Sequence, residues 1–180
     1  MLVDRGGADV QISWEHFLVH EGRMFTIEDE QTNVQVATPK RWLIKLAATA
    51  KPIHLAVVMA ATGGAKIELF ESPTTTADGN ALSIVNLNRV CGLTLAAVTA
   101  FDDPTVTGDG TLIGHCRAGG GILQNPASAA RPDLEHILRP GLNYQLKATV
   151  DVNGYTVLLD CDLYAGLDLV GAGWPNNAKA

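Results

Sequence analysis

The strongest constraint on this chain is a strict alternation of apolar and polar side chains near its C-terminal end. Every second residue is apolar from 142 to 152, and again from 155 to 163. A period of two is typical of β-strands with one buried face. Between the two runs lies Asn153-Gly154, a preferred pair for a two-residue type I′ turn. We therefore predict a β-hairpin in which Lys147 lies opposite Asp160.

A second segment predicts two strands with a polar loop between them. Residues 65–71 alternate in the same way, and Ser72-Pro73 ends this strand because proline has no backbone N–H to donate. Residues 74–80 are polar, and Asp78-Gly79 supplies a turn. An extended pattern resumes at residues 81–87. This segment is predicted to present a surface loop.

Further short strands are predicted around these segments. Residues 53–60 form one, and the tight turn at Gly63-Gly64 predicts a hairpin with residues 65–71. Residues 24–27 form another, and a solvated acidic turn is expected at residues 28–30. Residues 12–20 fit either a short helix or an entry strand. Strands are also predicted at residues 41–46, where Trp42 is expected in the core, and at 111–116. Residues 93–101 fit either a helix or a strand, and Thr94, Val98, Thr99 and the flanking Gly92 favour the strand. Residues 133–138 fit an edge strand or one helical turn.

Many short strands separated by turn signals predict an all-β fold. We expect an antiparallel β-sandwich of jelly-roll-like type. One domain is predicted over residues 12–164, with extended arms at residues 1–11 and 165–180. The glycine-rich residues 117–132 are predicted to form a long flexible loop, because glycine loses the most backbone entropy on ordering.

The bulk composition excludes two kinds of partner. The chain has 180 residues, of which 47% are hydrophobic and 18% charged, and its net charge is −6. Because phosphate binding needs grouped cations and none are grouped here, no nucleic-acid partner is expected. The longest apolar run, residues 55–62, is too short to span a bilayer, and no signal peptide is recognised. The apolar content fits either a tightly packed core or a surface covered by other subunits.

No cluster of residues in the sequence fits a catalytic, cofactor or metal site. His16 and His20 have the spacing of two ligands on one helical face. The metalloprotease glutamate and a clear third ligand are missing, so packing or a surface contact is predicted instead. His115 and Cys116 are neighbours in a predicted strand, where their side chains point to opposite faces. The three cysteines have no metal-type spacing and are expected to stay reduced.

Contacts with partners are expected from residues of the arms and loops. Trp14 lies just after the N-terminal arm and Trp174 lies in the C-terminal arm, and tryptophan often anchors interfaces. Packing within the subunit is the alternative for both. The contact candidates are Trp14, His20, Thr75, Asp78, Asn86, Asn88, Arg89 and Trp174.

Short motifs follow one another in a fixed order over residues 18–165. They are VHEGRMF at 19–25, IELFESPT at 67–74, DG at 78–79, NLNR at 86–89, DPTVT at 103–107 with GTL at 110–112, ILRPG at 137–141 with NY at 143–144, and a final strand ending at Tyr164. This ordered series resembles a family of small virion structural proteins of tailed DNA bacteriophages, found among capsid and head-associated proteins. The family tends to end soon after that tyrosine, whereas this chain runs on to Ala180.

The resemblance implies a β-rich subunit that has no catalytic activity and no cofactor. It implies a virion protein, made in the host cytoplasm, that binds the major capsid protein on the capsid exterior and cements or decorates the shell. A homo-oligomer is implied as well, and we expect a trimer at local three-fold positions. Contacts are expected in the two arms and in residues 74–80 and 117–125. A head-to-tail or tail-associated position stays open.

Two functions from other classes are the alternatives. A carbohydrate-binding β-sandwich predicts an exposed aromatic platform with Asp or Asn nearby. A hydrolase predicts a cleft in which His115 or His20 lies beside a carboxylate. The structure discriminates between these by the exposure of the aromatic rings and by the lining of its grooves.

Overall fold

The computed structural model describes residues 14–118 and 134–165, together with two short strands near the N-terminus. In chain order the elements are β1 (Leu2–Val3), β2 (Asp9–Val10), α1 (Trp14–His20), β3 (Met24–Val34), β4 (Lys40–Leu46), β5 (Ile53–Ala61), β6 (Ala65–Glu71), β7 (Thr74–Ala77), β8 (Asn80–Leu82), β9 (Val85–Asn86), β10 (Val98–Asp102), β11 (Thr105–Gly108), β12 (Thr111–Ala118), β13 (Leu134–Leu138), β14 (Asn143–Val150) and β15 (Tyr155–Ala165). The fold class is therefore all-β, as predicted.

Two antiparallel sheets form the body of the protein. Sheet I has six strands in the order β12-β6-β14-β4-β10-β8, and sheet II has five in the order β13-β5-β15-β3-β9. One hydrophobic cluster draws its members from both sheets. The antiparallel β-sandwich is thus confirmed. β7 and β11 pair with each other in a separate two-stranded sheet, and so do β1 and β2.

Alternation along the strands builds the core between the sheets. Trp42 and Leu146 point inward from sheet I, and Val57 and Leu163 meet them from sheet II; none of the four is more than 1% exposed. Burying one side chain of this size stabilises a fold by ~1.5–3 kcal/mol. Trp42 was predicted in the core and is confirmed there, and its indole N–H donates to Asp29 Oδ2 at 2.6 Å.

The predicted C-terminal hairpin is wrong. β14 pairs with β4 and β6 in sheet I, whereas β15 pairs with β3 and β5 in sheet II. The turn at Gly154, where φ is 91°, therefore carries the chain from one sheet to the other. Lys147 does not lie opposite Asp160; its neighbours in sheet I are Arg41 and Glu68. Alternation fits both arrangements, because in each the apolar faces of the two strands are buried.

The hairpin predicted at Gly63-Gly64 is wrong for the same reason. β5 pairs with β13 and β15 in sheet II, and β6 pairs with β12 and β14 in sheet I. This crossing lies beside the one at Gly154, since Asp151 N donates to Gly64 O at 2.8 Å. Both tight turns thus connect the two layers of the sandwich.

Several local predictions also differ from the structure. Residues 14–20 form a helix, which resolves the choice left open for 12–20. The acidic turn predicted at residues 28–30 is wrong, because β3 continues through it to Val34. Residues 74–77 of the predicted polar loop form β7, and in the stretch 93–101 the strand begins only at Val98. The edge strand predicted near residue 133 is confirmed as β13.

The predicted arms and the glycine-rich loop fall largely outside the described residues. Within residues 1–11, β1 pairs with β2. β12 extends to Ala118, so it includes the first two residues of the predicted loop, and residues 119–133 are not described. β15 ends at Ala165, and Trp174 lies beyond the described part. Within the described ranges, no helix is long and apolar enough to cross a bilayer.

Candidate interaction surface

The antiparallel pair β7 and β11, which we call the ribbon, lies over the outer face of sheet I. Leu43 and Gln145 pair with each other on that outer face, because their neighbours along β4 and β14 point into the core. Both are nevertheless 0% exposed. Asp109, which follows β11 directly, accepts hydrogen bonds from Gln145, Arg41 and Lys147. The ribbon thus forms a third layer over the centre of sheet I.

The ribbon is built from a duplicated sequence. The pattern Pro-Thr-x-Thr-x-Asp-Gly occurs at residues 73–79 and again at residues 104–110. In both copies the residue before the proline and the final glycine have positive φ: 57° at Ser72 and 47° at Asp103, then 93° at Gly79 and 86° at Gly110. The two copies therefore have the same backbone conformation at the start and end of each strand.

The two copies also pack against each other reciprocally. A Cβ on Gly79 would lie 1.9 Å from Asp102 O, and a Cβ on Gly110 would lie 2.4 Å from Glu71 O. Each glycine thus approaches the backbone that precedes the other copy's proline. The anchoring hydrogen bonds correspond as well, since Ser72 N donates to β14 and Asp103 N to β4. This exchange is what a two-fold axis between β4 and β14 would produce.

Two lysines of sheet I form equivalent ion pairs with the ribbon segments. Lys45 Nζ lies 2.9 Å from Asp78 Oδ2 and 6.0 Å from the centre of the Phe101 ring. Lys147 Nζ lies 2.7 Å from Asp109 Oδ2 and 5.7 Å from the centre of the Phe70 ring. The order β12-β6-β14-β4-β10-β8 obeys the same pseudo-two-fold symmetry, which exchanges β12 with β8, β6 with β10 and β14 with β4.

Asp109 is bound more tightly than its counterpart Asp78. Besides Lys147, it accepts hydrogen bonds from Arg41 Nη1 at 2.5 Å and from Gln145 Nε2 at 3.3 Å. Burial alone would raise the pKa of Asp109, but the hydrogen bonds from Lys147, Arg41 and Gln145 outweigh it and lower the pKa to about 2. The carboxylate therefore stays ionised far into the acidic range, and one end of the ribbon is clamped by two cations.

The outward side of the ribbon is uncharged and rich in hydroxyl groups. Thr74, Thr76, Thr105 and Thr107 are exposed along its two strands. The intervening Thr75 pairs with Val106, and both are only partly exposed. Because the nearby carboxylates are paired with cations beneath the ribbon, this side presents hydrogen-bonding groups without net charge. Of the predicted contact candidates, Thr75 and Asp78 belong to the ribbon.

Four other contact candidates gather at the end of the sandwich that carries α1. Asn88 Nδ2 donates to His20 O at 2.9 Å, so the segment after β9 is fixed to the end of the helix. Asn86 is buried and donates to Gly22 O at 2.9 Å and to Leu93 O at 3.1 Å. Asn86 and Asn88 thus shape this segment, whereas the neighbouring Arg89 is exposed.

Apolar side chains are exposed at the same end of the molecule. In the segment that Asn86 and Asn88 shape, Val90 is 97% exposed and Leu93 54% exposed. Leu87 in that segment and Phe17 on α1 are each 37% exposed. Trp14 begins α1, but its side chain lies outside the described part of the chain, as does Trp174. This end is therefore a second candidate surface for contacts.

The outer face of sheet II carries carboxylates at neighbouring positions. Asp160 pairs with Glu28 across the ladder, and Asp162 is the next outward residue on β15. Thr26 Oγ1 donates to Asp160 Oδ1 at 3.1 Å. Burial, together with the negative charges of Asp160 and Glu28, raises the pKa of Asp162 to about 6. Ionising Asp162 therefore costs the folded state free energy.

Replacing Asp162 with asparagine is expected to stabilise the protein at pH 8. The folded pKa of about 6 lies above the ordinary value of 3.8, so the wild type loses stability as the pH rises from about 4 to about 6. Because the group is only half-buried, the gain from Asp162→Asn is discounted for solvent screening to ~1 kcal/mol or less. Urea unfolding at pH 8 and pH 4 measures it. Equal stability of the two proteins at pH 8 would contradict the assignment.

Two grooves in the described part of the chain offer little for acid–base chemistry. One, beside β8 and β10, is lined by apolar and hydroxyl side chains such as Leu82, Leu95 and Thr99. Another, beside β9, has Glu28 as its charged residue. His115 pairs with Glu68 and Cys116 with Ile67, so their side chains lie on opposite faces of β12. In the described ranges, no group of three or more His, Cys, Asp or Glu residues is placed to hold a metal ion.

The aromatic residues do not form a platform in the part of the chain whose side chains are described. There, Phe17 is the one exposed aromatic residue; Trp42 and Tyr144 are buried, and Tyr155 and Tyr164 are partly exposed.

No protein-family model matches this chain, and no curated protein sequence matches it. The duplicated ribbon is the site that reasoning from the sequence missed. Its signal was the repeat of Pro-Thr-x-Thr-x-Asp-Gly after an interval of 31 residues, from Gly79 to Gly110.

Proposed function

We propose that this chain is a non-enzymatic structural protein of a tailed-phage virion. It binds the outer surface of the assembled capsid through the major capsid protein and stabilises the shell. The ribbon carries the proposal, because it is a duplicated, uncharged, hydrogen-bonding surface on a rigid support. The ordered series of motifs supports the phage assignment, and self-association into a trimer belongs to the same proposal. The virion exterior is the corresponding location.

The wrapping of the strands supports a structural role. From β3 onward the strands pair in nested order, so that the outermost two along the chain pair with each other and each next pair lies inside the previous one. The pairs are β3 with β15, β4 with β14, β5 with β13 and β6 with β12. Successive ladders alternate between sheet II and sheet I. We infer that the sandwich is a jelly roll, an architecture of viral capsid and lectin domains. β7 to β11 are then an insertion between β6 and β12, and the ribbon is its outermost part.

The geometry of the ribbon suits two copies of one partner. Its pseudo-two-fold symmetry presents Thr74 and Thr76 at one position and Thr105 and Thr107 at the equivalent position. Two neighbouring capsid subunits would then be bound by the same contacts and held together. Such a bridge stabilises the shell by mass action, because the ligand binds the assembled state and not the separated subunits. Linked contacts of this kind raise the effective affinity by ~10²–10⁴ without strengthening any single contact.

Arginine on either half of the ribbon is expected to weaken capsid binding. Thr76→Arg and Thr107→Arg each place a bulky charge on an exposed, uncharged strand, so each should reduce the affinity at least ~10-fold. The two effects should be similar because the positions are equivalent. Co-sedimentation of the purified protein at micromolar concentration with expanded capsids that lack it measures the affinity. Calorimetry of the same particles measures the expected rise in shell melting temperature.

Thr32→Arg is the matched control, because Thr32 is an exposed threonine in a strand of sheet II. It should bind like the wild type. If wild-type protein neither sediments with the capsids nor raises their melting temperature, the proposed function is wrong. Full binding by both ribbon variants would leave the function intact and reject the ribbon as the contact surface.

A further inference from the structure

The structure brings together two imidazole nitrogens on α1. His16 and His20 lie one helical turn apart, where residues four positions apart share a face. Both side chains are exposed, and His16 Nε2 lies 2.9 Å from His20 Nε2. The ring centres are 4.6 Å apart and the ring planes make an angle of 70°. The spacing of the two histidines is visible in the sequence, whereas the approach of their nitrogens is not.

These distances match two imidazoles bound side by side to one metal ion. Metal–nitrogen bonds of ~2.05 Å that meet at a right angle separate the nitrogens by ~2.9 Å and the ring centres by ~4.5 Å. Tetrahedral bonds of the same length separate the nitrogens by ~3.4 Å. In the structure the two nitrogens are joined by a hydrogen bond of 2.9 Å. A metal ion bound to both nitrogens would take the place of the shared proton, and their separation is close to that of two ligands at a right angle, as in square-planar or octahedral sites.

We propose that His16 and His20 form a chelating site for a divalent transition-metal ion that prefers nitrogen ligands and right-angled geometry. Ni²⁺ and Cu²⁺ have these preferences. The two histidines are the protein ligands in the described part of the chain, and water fills the other coordination positions. The helix positions both rings before the metal ion binds. Once one imidazole has bound the ion, the second metal–nitrogen bond therefore forms within the same molecule. The site is independent of the proposed capsid contact, which uses the strands β7 and β11 and not α1.

Calorimetric titration of the tag-free, full-length protein with NiCl₂ at pH 8 tests the site. We expect one Ni²⁺ per chain in the wild type. His16→Gln and His20→Gln should each weaken binding at least ~10-fold, because loss of either ligand removes the chelate, whose second bond forms at millimolar or higher effective concentration. Binding should weaken in acid, since a ligating imidazole must be neutral. With CuSO₄, electron paramagnetic resonance should show coupling to two nitrogens in the wild type and to one in either variant.

His115→Gln is the matched control, because His115 is exposed on β12 and belongs to no such pair. It should bind Ni²⁺ like the wild type. Thermal unfolding without metal should show that all four proteins are folded at the temperature of the titration, so that a loss of Ni²⁺ binding is not a loss of structure. Unchanged affinity in either His16→Gln or His20→Gln, or an equal loss in His115→Gln, would overturn the proposal. Failure of the wild type to bind Ni²⁺ at millimolar concentration would overturn it as well.

Discussion

Replacing Gly79 with alanine is expected to lower the free energy of unfolding by ~3 kcal/mol. The residue has a φ of 93°, and a Cβ would lie 1.9 Å from the carbonyl oxygen of Asp102. A left-handed conformation costs a residue with a side chain ~1–2 kcal/mol. The clash adds ~1–3 kcal/mol, because the neighbouring atom belongs to the backbone and cannot rotate away. Urea unfolding followed by circular dichroism measures the loss.

Gly110→Ala tests the equivalence of the two halves of the ribbon. Gly110 has a φ of 86°, and its Cβ would lie 2.4 Å from Glu71 O, so the loss should be of similar size. Gly92→Ala is the control, because a Cβ there has no neighbour within 4 Å. That change should be neutral or slightly stabilising, since alanine reduces the entropy of the unfolded chain. If Gly79→Ala and Gly110→Ala unfold like Gly92→Ala, the ribbon is not packed on sheet I as described.

The periodicity of the sequence predicts the core side chains of β14 and β15, but neither the burial of Gln145 on the outer face of sheet I nor which strands pair. Leu146, Val157 and Leu159 alternate with polar neighbours, and all three are in the core as expected. Alternation reports only that one face of a strand is buried. In a hairpin the two strands bury that face within one sheet, whereas here β14 and β15 lie in different sheets and face each other across the core. The type I′ signal at residues 153–154 specifies a tight reversal and is compatible with both.

The ribbon could have been found by comparing the chain with itself. Residues 72–79 were interpreted as the end of a strand and a polar loop, which is a correct account of local turn chemistry. Only the second copy at residues 103–110 reveals that two such segments exist, and strands this short need both a partner strand and packing against another layer to be stable. Their location over Leu43 and Gln145 depends on contacts between distant parts of the chain, which no local pattern encodes.

The contact candidates show the same division between local and distant information. Asn86 and Asn88 are predicted from the sequence as contact residues, and the structure uses both to fix the segment after β9. Asp78 was assigned to a turn, and its ion pair with Lys45 depends on the placement of the ribbon over β4. Polarity in a loop therefore does not separate residues that bind a partner from residues that fix the loop itself.

Removing the carboxylate of Asp109 is expected to destabilise the protein by ~2–3 kcal/mol at pH 7. Asp109→Ala leaves the side chain of Gln145 buried with no hydrogen-bond partner, because its Oε1 already has none. It also leaves Arg41 and Lys147, which are 23% and 18% exposed, without their shared anion. Unpaired buried groups cost ~1–3 kcal/mol each, and partial exposure of the two cations reduces their share. Urea unfolding at pH 7 measures the change.

Asp78→Ala is the matched control, because Asp78 occupies the equivalent position but pairs with Lys45 alone. Both side chains of that pair are more than a third exposed, so the loss should be ~1 kcal/mol or less. The additional loss of unfolding free energy in Asp109→Ala, compared with Asp78→Ala, should also depend on pH. The folded pKa of Asp109 is about 2, below its ordinary value of 3.8. Its contribution is therefore complete above pH ~4 and is lost as the pH falls towards 2. Equal losses for the two alanine variants at pH 7, or a loss at Asp109 that persists unchanged at pH 2, would show that the two-cation clamp does not hold the ribbon on sheet I.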